Sequence, residues 1–308
     1  MGAAGSSFGL SGLSMVERSI LGTVILHTTL PSTNSHKPAE VQQETATPSQ
    51  PLRNIRLTVE YDGTRFAGWQ RQVNGLAVQQ VLEEALERQL GHKVRVTAAG
   101  RTDSGVHAIG QVVNFHTASH LKPRAIERAT LLHLPPDVTI SQAEEVPHTF
   151  DARKSARLRW YRFFLCNRGV RPAVGAPYLS HVIGRLDMDR MRHAADALSG
   201  NHDFQAFRAI TCTAVRTRLD LQPIEITRTP EDIIIIDFRC RSFLQNMVRI
   251  LAGTLVSCAR GKLSVEEIRQ MLTSGQRRNE ATTLPPNGLF LWKVLYQGEP
   301  GTEDLPSN

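Results

Sequence analysis

Residues 100–108 read Gly-Arg-Thr-Asp-Ser-Gly-Val-His-Ala, and they place a single carboxylate, that of Asp103, between an arginine and two glycines. Gly100 and Gly105 let the backbone adopt conformations that a side chain would forbid, and they let a ligand approach closely. The charge of Arg101 favours an ionised carboxylate nearby, so Asp103 would serve as a nucleophile or a base at neutral pH. The same residue types also form ordinary surface turns. Taken alone, the stretch therefore leaves a reactive loop and a surface turn as alternatives.

The sequence on both sides of this loop alternates between strand and helix patterns. Apolar residues alternate with polar ones from Arg53 to Tyr61, which predicts a strand with one buried face. Helical spacing predicts an amphipathic helix over 77–90, and renewed alternation over 93–98 predicts a strand that leads into the Asp103 loop. Further strands are predicted near 111–116, 138–143, 157–167, 217–228, 232–241 and 289–296, and further helices near 123–132, 188–198, 243–260 and after the Ser264–Glu267 capping box.

This order of elements predicts an α+β protein with antiparallel or mixed sheets. We expect two α/β domains, each ferredoxin-like, with an active-site cleft between them. The first would span 53–149 and the second 150–298, followed by a tail at 299–308. A chain of 308 residues is long enough for two such cores.

The charge distribution favours a polyanionic partner. Residues 53–298 hold 34 of the 36 basic residues and 23 of the 29 acidic ones, a net charge of +11. Nucleic acid is the simplest partner for such a body, although a solvated basic surface would give the same count. The four cysteines are scattered and lack metal-ligand spacing, so we expect neither zinc nor a disulfide framework.

The first 52 residues differ in composition from the rest, being rich in Ser, Thr, Ala, Gly and Pro. Their one apolar run, residues 20–26, is too short to span a bilayer. It makes a poor secretory signal, and arginine enrichment typical of an organellar leader is missing. We therefore expect a disordered extension on a cytoplasmic protein without a membrane anchor, with an organellar leader as the alternative.

Several segments, taken in order, resemble the TruA family of tRNA pseudouridine synthases. The Asp103 loop is one of them. The others are residues 59–64, 66–70, 150–153, 160–162, 202–204, 243–244, 247–249 and 286–289. Together they cover about residues 53–296, and the principal departures are the N-terminal extension and a leucine, Leu284, where many members carry alanine.

The resemblance implies the pseudouridine synthase fold and a set of site residues. Asp103 would be the essential catalytic aspartate, Tyr161 the active-site tyrosine, Arg249 the basic residue paired with the aspartate, and Arg101 a helper beside it. Family members act as homodimers without a metal or organic cofactor. They isomerise uridines at positions 38, 39 and 40 in the anticodon stem-loop of tRNA.

Each of these residues also has an ordinary interpretation. Arg249 lies in an apolar-patterned helix, where it could pair with Asp103 or extend to solvent. Tyr161 could stack on uracil or simply pack in the core. Candidates for substrate binding are Tyr161 together with Arg65, Gln70, Arg71, His107, Arg153, Arg157 and Arg208.

Three other functions remain open at this point. The enzyme could act on organellar tRNA or another structured RNA. The chain could bind RNA without catalysis, but binding does not require Asp103, Tyr161 and Arg249 together. A hydrolase using Asp103 is less favoured, because the sequence offers no clear second carboxylate or metal set to pair with it.

Overall fold

The computed structural model describes residues 52–303, so the disordered extension predicted for 1–52 lies, except for its last residue, outside the described residues. The strands are β1 Arg53–Tyr61, β2 Thr97–Ala98, β3 His107–Thr117, β4 Val138–Val146, β5 Ala156–Cys166, β6 Ser180–His181, β7 Gly200–Asp203, β8 Arg218–Leu221, β9 Glu225–Arg228, β10 Ile233–Cys240 and β11 Leu289–Tyr296. The helices are α1 Val78–Leu90, α2 Pro123–Leu131, α3 Met188–Leu198, α4 Met247–Ala259 and α5 Val265–Ser274. The α+β class predicted from the sequence is confirmed.

These strands form one mixed sheet of eleven strands, with the central order β4-β1-β3-β11-β5-β10-β8-β7. The last strand in the sequence, β11, lies between β3 and β5, parallel to the first and antiparallel to the second. Leu291 of β11 is opposite Ala108 on one side and Tyr161 on the other. Since neighbouring strands are about 4.8 Å apart, the end of the Asp103 loop and Tyr161 are only two strand spacings apart.

The two faces of the sheet are covered differently. All five helices contribute buried apolar residues to one large core cluster, together with Tyr161, Phe163 and Leu165 of β5. The alternate residues Phe164 and Cys166 belong to a smaller cluster on the other face. Alternation along β5 therefore directs Tyr161 towards the side of the sheet that carries the helices.

The predicted domain boundary near residue 150 falls in the connection between β4 and β5. The strands on either side of it belong to the same sheet, and β11 joins them. Whether 53–149 and 150–298 behave as separate domains stays a prediction.

Most predicted elements are present, with two differences close to the site. Helix 188–198, strand 289–296 and the capping box at Ser264 are confirmed. The strand predicted over 93–98 is reduced to Thr97–Ala98, because the amide of Val96 donates to the carboxylate of Glu83 and not to a strand. The helix predicted from 243 begins at Met247, because Asn246 has a φ of 60° and interrupts the helical path.

Candidate active site

The Asp103 loop connects β2 to β3 and is enclosed by residues 61–69. The hydroxyl of Tyr61 is 2.8 Å from that of Thr102, and the amide of Trp69 donates to the Thr102 carbonyl over 3.1 Å. The backbones approach so closely that a Cβ on Gly68 would lie 2.8 Å from the Thr102 carbonyl oxygen. The loop is therefore held as a defined structure and is more than a free surface turn.

Asp103 and Arg249 are brought together, as the sequence predicts. Arg249 Nη1 lies 3.6 Å from Asp103 Oδ2, and the two side chains are 17% and 29% exposed. The guanidinium is held from behind, because its Nε donates to the Leu284 carbonyl over 2.8 Å and its Nη1 to Asn246 Oδ1 over 3.1 Å. Asn246 stands just before α4, so the turn that delays the start of the predicted helix also orients Arg249.

The electrostatics of Asp103 differ from the sequence expectation. Burial raises the pKa of the Asp103 carboxyl above its ordinary value. The charge and hydrogen bond of Arg249 lower this pKa, but their effect is smaller than that of burial. The sequence suggested that neighbouring arginines would dominate, but desolvation of the anion in the cleft is the larger effect. A carboxylate with a raised pKa is a stronger base and nucleophile.

Tyr161 lies beside the start of the same loop. A Cβ on Gly100 would be 3.6 Å from the Tyr161 hydroxyl oxygen, and the ring packs edge-on against Phe243 with centroids 5.2 Å apart. Burial raises the pKa of Tyr161 far above its ordinary value, and the neighbouring Asp103 raises it further. The side chain is therefore a neutral phenol, with its hydroxyl directed towards the loop that carries Asp103.

Comparison with known proteins identifies the family. A family model described as tRNA pseudouridine synthase matches residues 57–153 and 194–297. The chain belongs to this family. Its matched segments include Asp103 and Arg249, whereas Tyr161 lies between them.

Curated relatives of this synthase family cover most of the chain. The tRNA pseudouridine synthase A of Geotalea daltonii is 42% identical over 245 residues, which is 80% of this chain and 100% of that protein. The protein of the same name from Pelobacter propionicus is 44% identical over 245 residues, with the same two coverages. The one from Myxococcus xanthus is 41% identical over 249 residues, 81% of this chain and 94% of that protein. The resemblance to the family seen in the sequence is thus confirmed.

The residues proposed to contact RNA differ in whether they already form ion pairs or hydrogen bonds within the protein. Within residues 52–303, exposed Arg101 makes no hydrogen bond or ion pair. Arg65 pairs with Asp137 over 2.7 Å, and Arg71 lies 3.8 Å from both Glu83 and Glu84. The remaining candidates are exposed Gln70 and Arg153, and partly exposed Arg157 and Arg208, the last of which donates to the Ala214 carbonyl.

His107 is the exception among the RNA-contact candidates, and its prediction is corrected. The residue is 1% exposed, and its ring stacks on Phe290 with centroids 4.7 Å apart. Its two ring nitrogens lie 3.0 Å from the amide nitrogen of Gly63 and the carbonyl oxygen of Pro177. Because β11 runs alongside the first residue of β3, His107 is covered and cannot reach a phosphate.

The sequence analysis missed Arg159, although its position gave a signal. It precedes Tyr161 by two residues, so both lie on the same face of β5. Arg159 is 7% exposed, and its guanidinium donates to the carbonyls of Ala99, Arg153 and Arg241. An arginine two residues from an active-site tyrosine, on the same face of a strand, marks a buried cation next to the site.

Residues 52–303 lack two further features, a metal-binding cluster and a membrane-spanning helix. These residues contain no group of three or more His, Cys, Asp and Glu side chains that could hold a metal ion. The same part of the chain has no helix that is long and apolar enough to cross a bilayer.

Proposed function

We propose that this protein converts uridine to pseudouridine at positions 38, 39 and 40 of the tRNA anticodon stem-loop, with Asp103 as the catalytic carboxylate. The observation that carries the proposal is the placement of Asp103 against Arg249, at 3.6 Å, on a loop that starts beside the Tyr161 hydroxyl. Membership of the tRNA pseudouridine synthase family supports the reaction and the class of substrate. The three tRNA positions come from the resemblance to the TruA family.

The reaction is an isomerisation that adds and removes nothing overall. The bond from uracil N1 to ribose C1′ breaks, the base turns, and C5 forms a new bond to C1′. C5 then loses its proton and N1 gains one. The site must therefore assist cleavage of the glycosidic bond, keep the freed base in place and accept the C5 proton.

The geometry supports a division of these tasks among three residues. Asp103 assists glycosidic cleavage or adds to the uracil. Its raised pKa makes it a stronger proton acceptor than an aspartate with an ordinary pKa. Arg249 keeps the carboxylate oriented and limits that rise in pKa. Tyr161, a neutral phenol, offers a ring on which uracil can stack and a hydroxyl that can form a hydrogen bond with the turning base.

Arg101 is suited to a separate role in exposing the target nucleotide. Reaching C1′ and C5 of a paired uridine requires the nucleotide to leave the helical stack. Arg101 is exposed, directly precedes Thr102 and Asp103, and has no partner among residues 52–303. Its planar guanidinium can fill the space that the extruded base leaves.

The deciding experiment measures tritium release from tRNA labelled at uracil C5, for the wild type and Asp103→Asn, with tRNA binding measured in parallel. Release by the wild type alone, with equal binding by both proteins, is the expected result. A folded wild type that binds tRNA but releases no tritium would overturn the proposal. RNA mass must also stay unchanged, since hydrolysis would alter it.

We also propose that the protein acts as a homodimer, as the family resemblance implies. One face of the sheet carries none of the five α-helices of residues 52–303. This face supports a dimer, because its partly exposed Trp160 and Trp292 are stacked on Arg162 at 5.1 and 4.6 Å. Aromatic and arginine side chains of this kind are enriched at protein interfaces. Light scattering across a range of concentrations tests the dimer, and a fully active monomer would contradict it.

The cytoplasm is the proposed location, with an organellar leader in residues 1–52 as the alternative. Imaging of the full chain and of residues 53–308, each fused to a fluorescent protein, separates the two. An organellar signal that disappears with the first 52 residues would overturn the cytoplasmic proposal.

A further inference from the structure

The guanidinium of Arg159 is a buried cation held entirely by backbone carbonyls. Its Nε and Nη2 donate to the Ala99 carbonyl over 2.8 and 2.6 Å, Nη2 also donates to the Arg153 carbonyl over 2.8 Å, and Nη1 donates to the Arg241 carbonyl. Within residues 52–303 it has no carboxylate partner. Buried cations usually require an anion, so a side chain that retains this position without one merits a functional explanation.

Two of the three carbonyls, those of Ala99 and Arg241, belong to segments that carry the site. Ala99 directly precedes Gly100 and the Asp103 loop. Arg241 begins the 241–246 connection, which supplies Phe243 to Tyr161 and Asn246 to Arg249. Arg159 thus connects the segment that carries Asp103 to the segment that orients both of its partners.

Within the described residues 52–303, no other hydrogen bond of the loop start reaches the 241–246 connection. Gly100 is held by Gln111, whose Nε2 donates to the Gly100 carbonyl over 2.8 Å. Gln111 lies on β3, the strand that directly follows the loop, so it holds the loop only to its own continuation. Arg159 is on β5, and its hydrogen bonds join parts of the sequence 60 and 82 residues away.

We propose that Arg159 is a positioning residue that sets the distance between the Asp103 loop and the 241–246 connection, and thereby aligns Asp103, Arg249 and Tyr161 for the reaction. This inference rests on the proposed function. Its physical basis is the fixed planar geometry of the guanidinium, whose five N–H donors can bind several carbonyls at once. Lysine has a single ammonium group and cannot hold three separate carbonyls in that geometry.

The test uses single-turnover kinetics with enzyme in excess over C5-tritiated tRNA, for Arg159→Lys and Arg159→Met. We expect tRNA affinity within about twofold of the wild type. We expect the rate constant of tritium release to fall by about 100-fold in Arg159→Met, the loss that a misplacement near 1 Å can cause, and by less in Arg159→Lys. A merely structural role would instead reduce the reacting fraction through misfolding and leave the rate constant of the folded molecules unchanged.

Arg53→Lys is the matched control. Arg53 also donates to two backbone carbonyls, those of Ser119 and Leu121, over 2.8 and 3.0 Å. It lies on β1 opposite Thr117, at the end of β3 that is remote from the Asp103 loop. Its rate constant should stay within about twofold of the wild type. An equal loss in this control would overturn the inference, because any arginine that binds two backbone carbonyls would then have the same effect.

If Arg159→Met does not fold, the Arg159→Lys rate constant decides the matter. A wild-type rate constant in either folded Arg159 variant would overturn the positioning role. Failure of the proposed function is distinguishable, because in that case the wild type itself releases no tritium.

Discussion

At the level of single residues, Tyr161 combines deep burial with an unused polar group. Its side chain is 7% exposed, yet its hydroxyl makes no hydrogen bond within residues 52–303. The hydroxyl oxygen itself keeps some exposure to solvent, so it is available for a group that the substrate supplies.

Replacing Tyr161 by Phe should separate binding from catalysis. The ring, its packing against Phe243 and the fold are retained, and no protein group loses a partner. We expect tRNA affinity and thermal stability close to those of the wild type and loss of tritium release. Full activity would assign Tyr161 to packing alone, whereas weakened binding would place the hydroxyl in substrate recognition.

Burial of Asp103 should appear in the pH dependence of stability. Because the folded pKa is raised, the ionised carboxylate destabilises the folded state above that pKa, and this effect vanishes as pH falls below the unfolded value of about 3.9. The free energy of unfolding of Asp103→Asn, relative to the wild type, should therefore increase as pH rises from about 4, then level off. Denaturant unfolding at several pH values measures it, and a difference that decreases with pH would contradict the assignment.

At the level of elements, the close packing of residues 61–69 on the Asp103 loop depends on glycine. Gly68 has a φ of 99°, and a Cβ there would also meet the Thr102 carbonyl oxygen at 2.8 Å. Gly91, at the end of α1, has a φ of 73° with nothing within 4 Å of such a Cβ. An alanine at either position would have a strained backbone, but only an alanine at position 68 would also clash with a neighbouring carbonyl oxygen.

Alanine at these two positions should therefore have unequal effects. We expect Gly91→Ala to lower the free energy of unfolding by about 1 kcal/mol through strain alone. Gly68→Ala should cost a further 1–3 kcal/mol or so and reduce the rate of isomerisation, since the Asp103 loop must move. Chemical denaturation and tritium release measure both effects. Equal stability losses, with Gly68→Ala fully active, would show that the loop tolerates displacement.

Sequence periodicity predicted the elements whose packing is local and regular. Helix α3 has the predicted bounds because Asp187 caps its start, an apolar stripe runs along it and Ser199 follows its last residue. Residues 93–96 carry the alternation of a strand, but a single contact from Val96 to Glu83 on α1 diverts them. Asn246 delays the start of the predicted helix through a backbone conformation that composition does not reveal. A side chain of another element decided the first case, and a local backbone conformation decided the second.

At the level of the whole molecule, the arrangement of the site depends on pairings that are distant in sequence. The motifs identified Asp103, Tyr161 and Arg249 one by one, and the resemblance to the family assigned their roles. The insertion of β11 between β3 and β5 is a pairing across more than 120 residues, so no local pattern could indicate it. His107 was misassigned because β11 covers it. The role of Arg159 was missed because two of its carbonyl partners lie 60 and 82 residues away in the sequence.

The charge of the whole molecule should determine how salt affects binding. Residues 53–298 carry +11, and five arginines remain candidates for phosphate contact: Arg65, Arg71, Arg153, Arg157 and Arg208. Neutralising about five phosphates releases bound counterions, so tRNA affinity should fall by about two to three orders of magnitude between 50 and 200 mM salt. A nearly flat response would contradict binding along the RNA backbone.

Single substitutions locate the surface that causes tRNA affinity to fall with salt, measured as the slope of log affinity against log salt concentration. Arg153→Gln, next to the Arg159 contact, should weaken binding and reduce the salt slope by about one if this arginine meets a phosphate. Arg192→Gln is the control, since Arg192 is an exposed arginine of α3 that pairs with Asp189 on the helix surface. Its slope should equal that of the wild type. Equal reductions in both variants would show that tRNA responds to net charge and not to a defined path across the cleft.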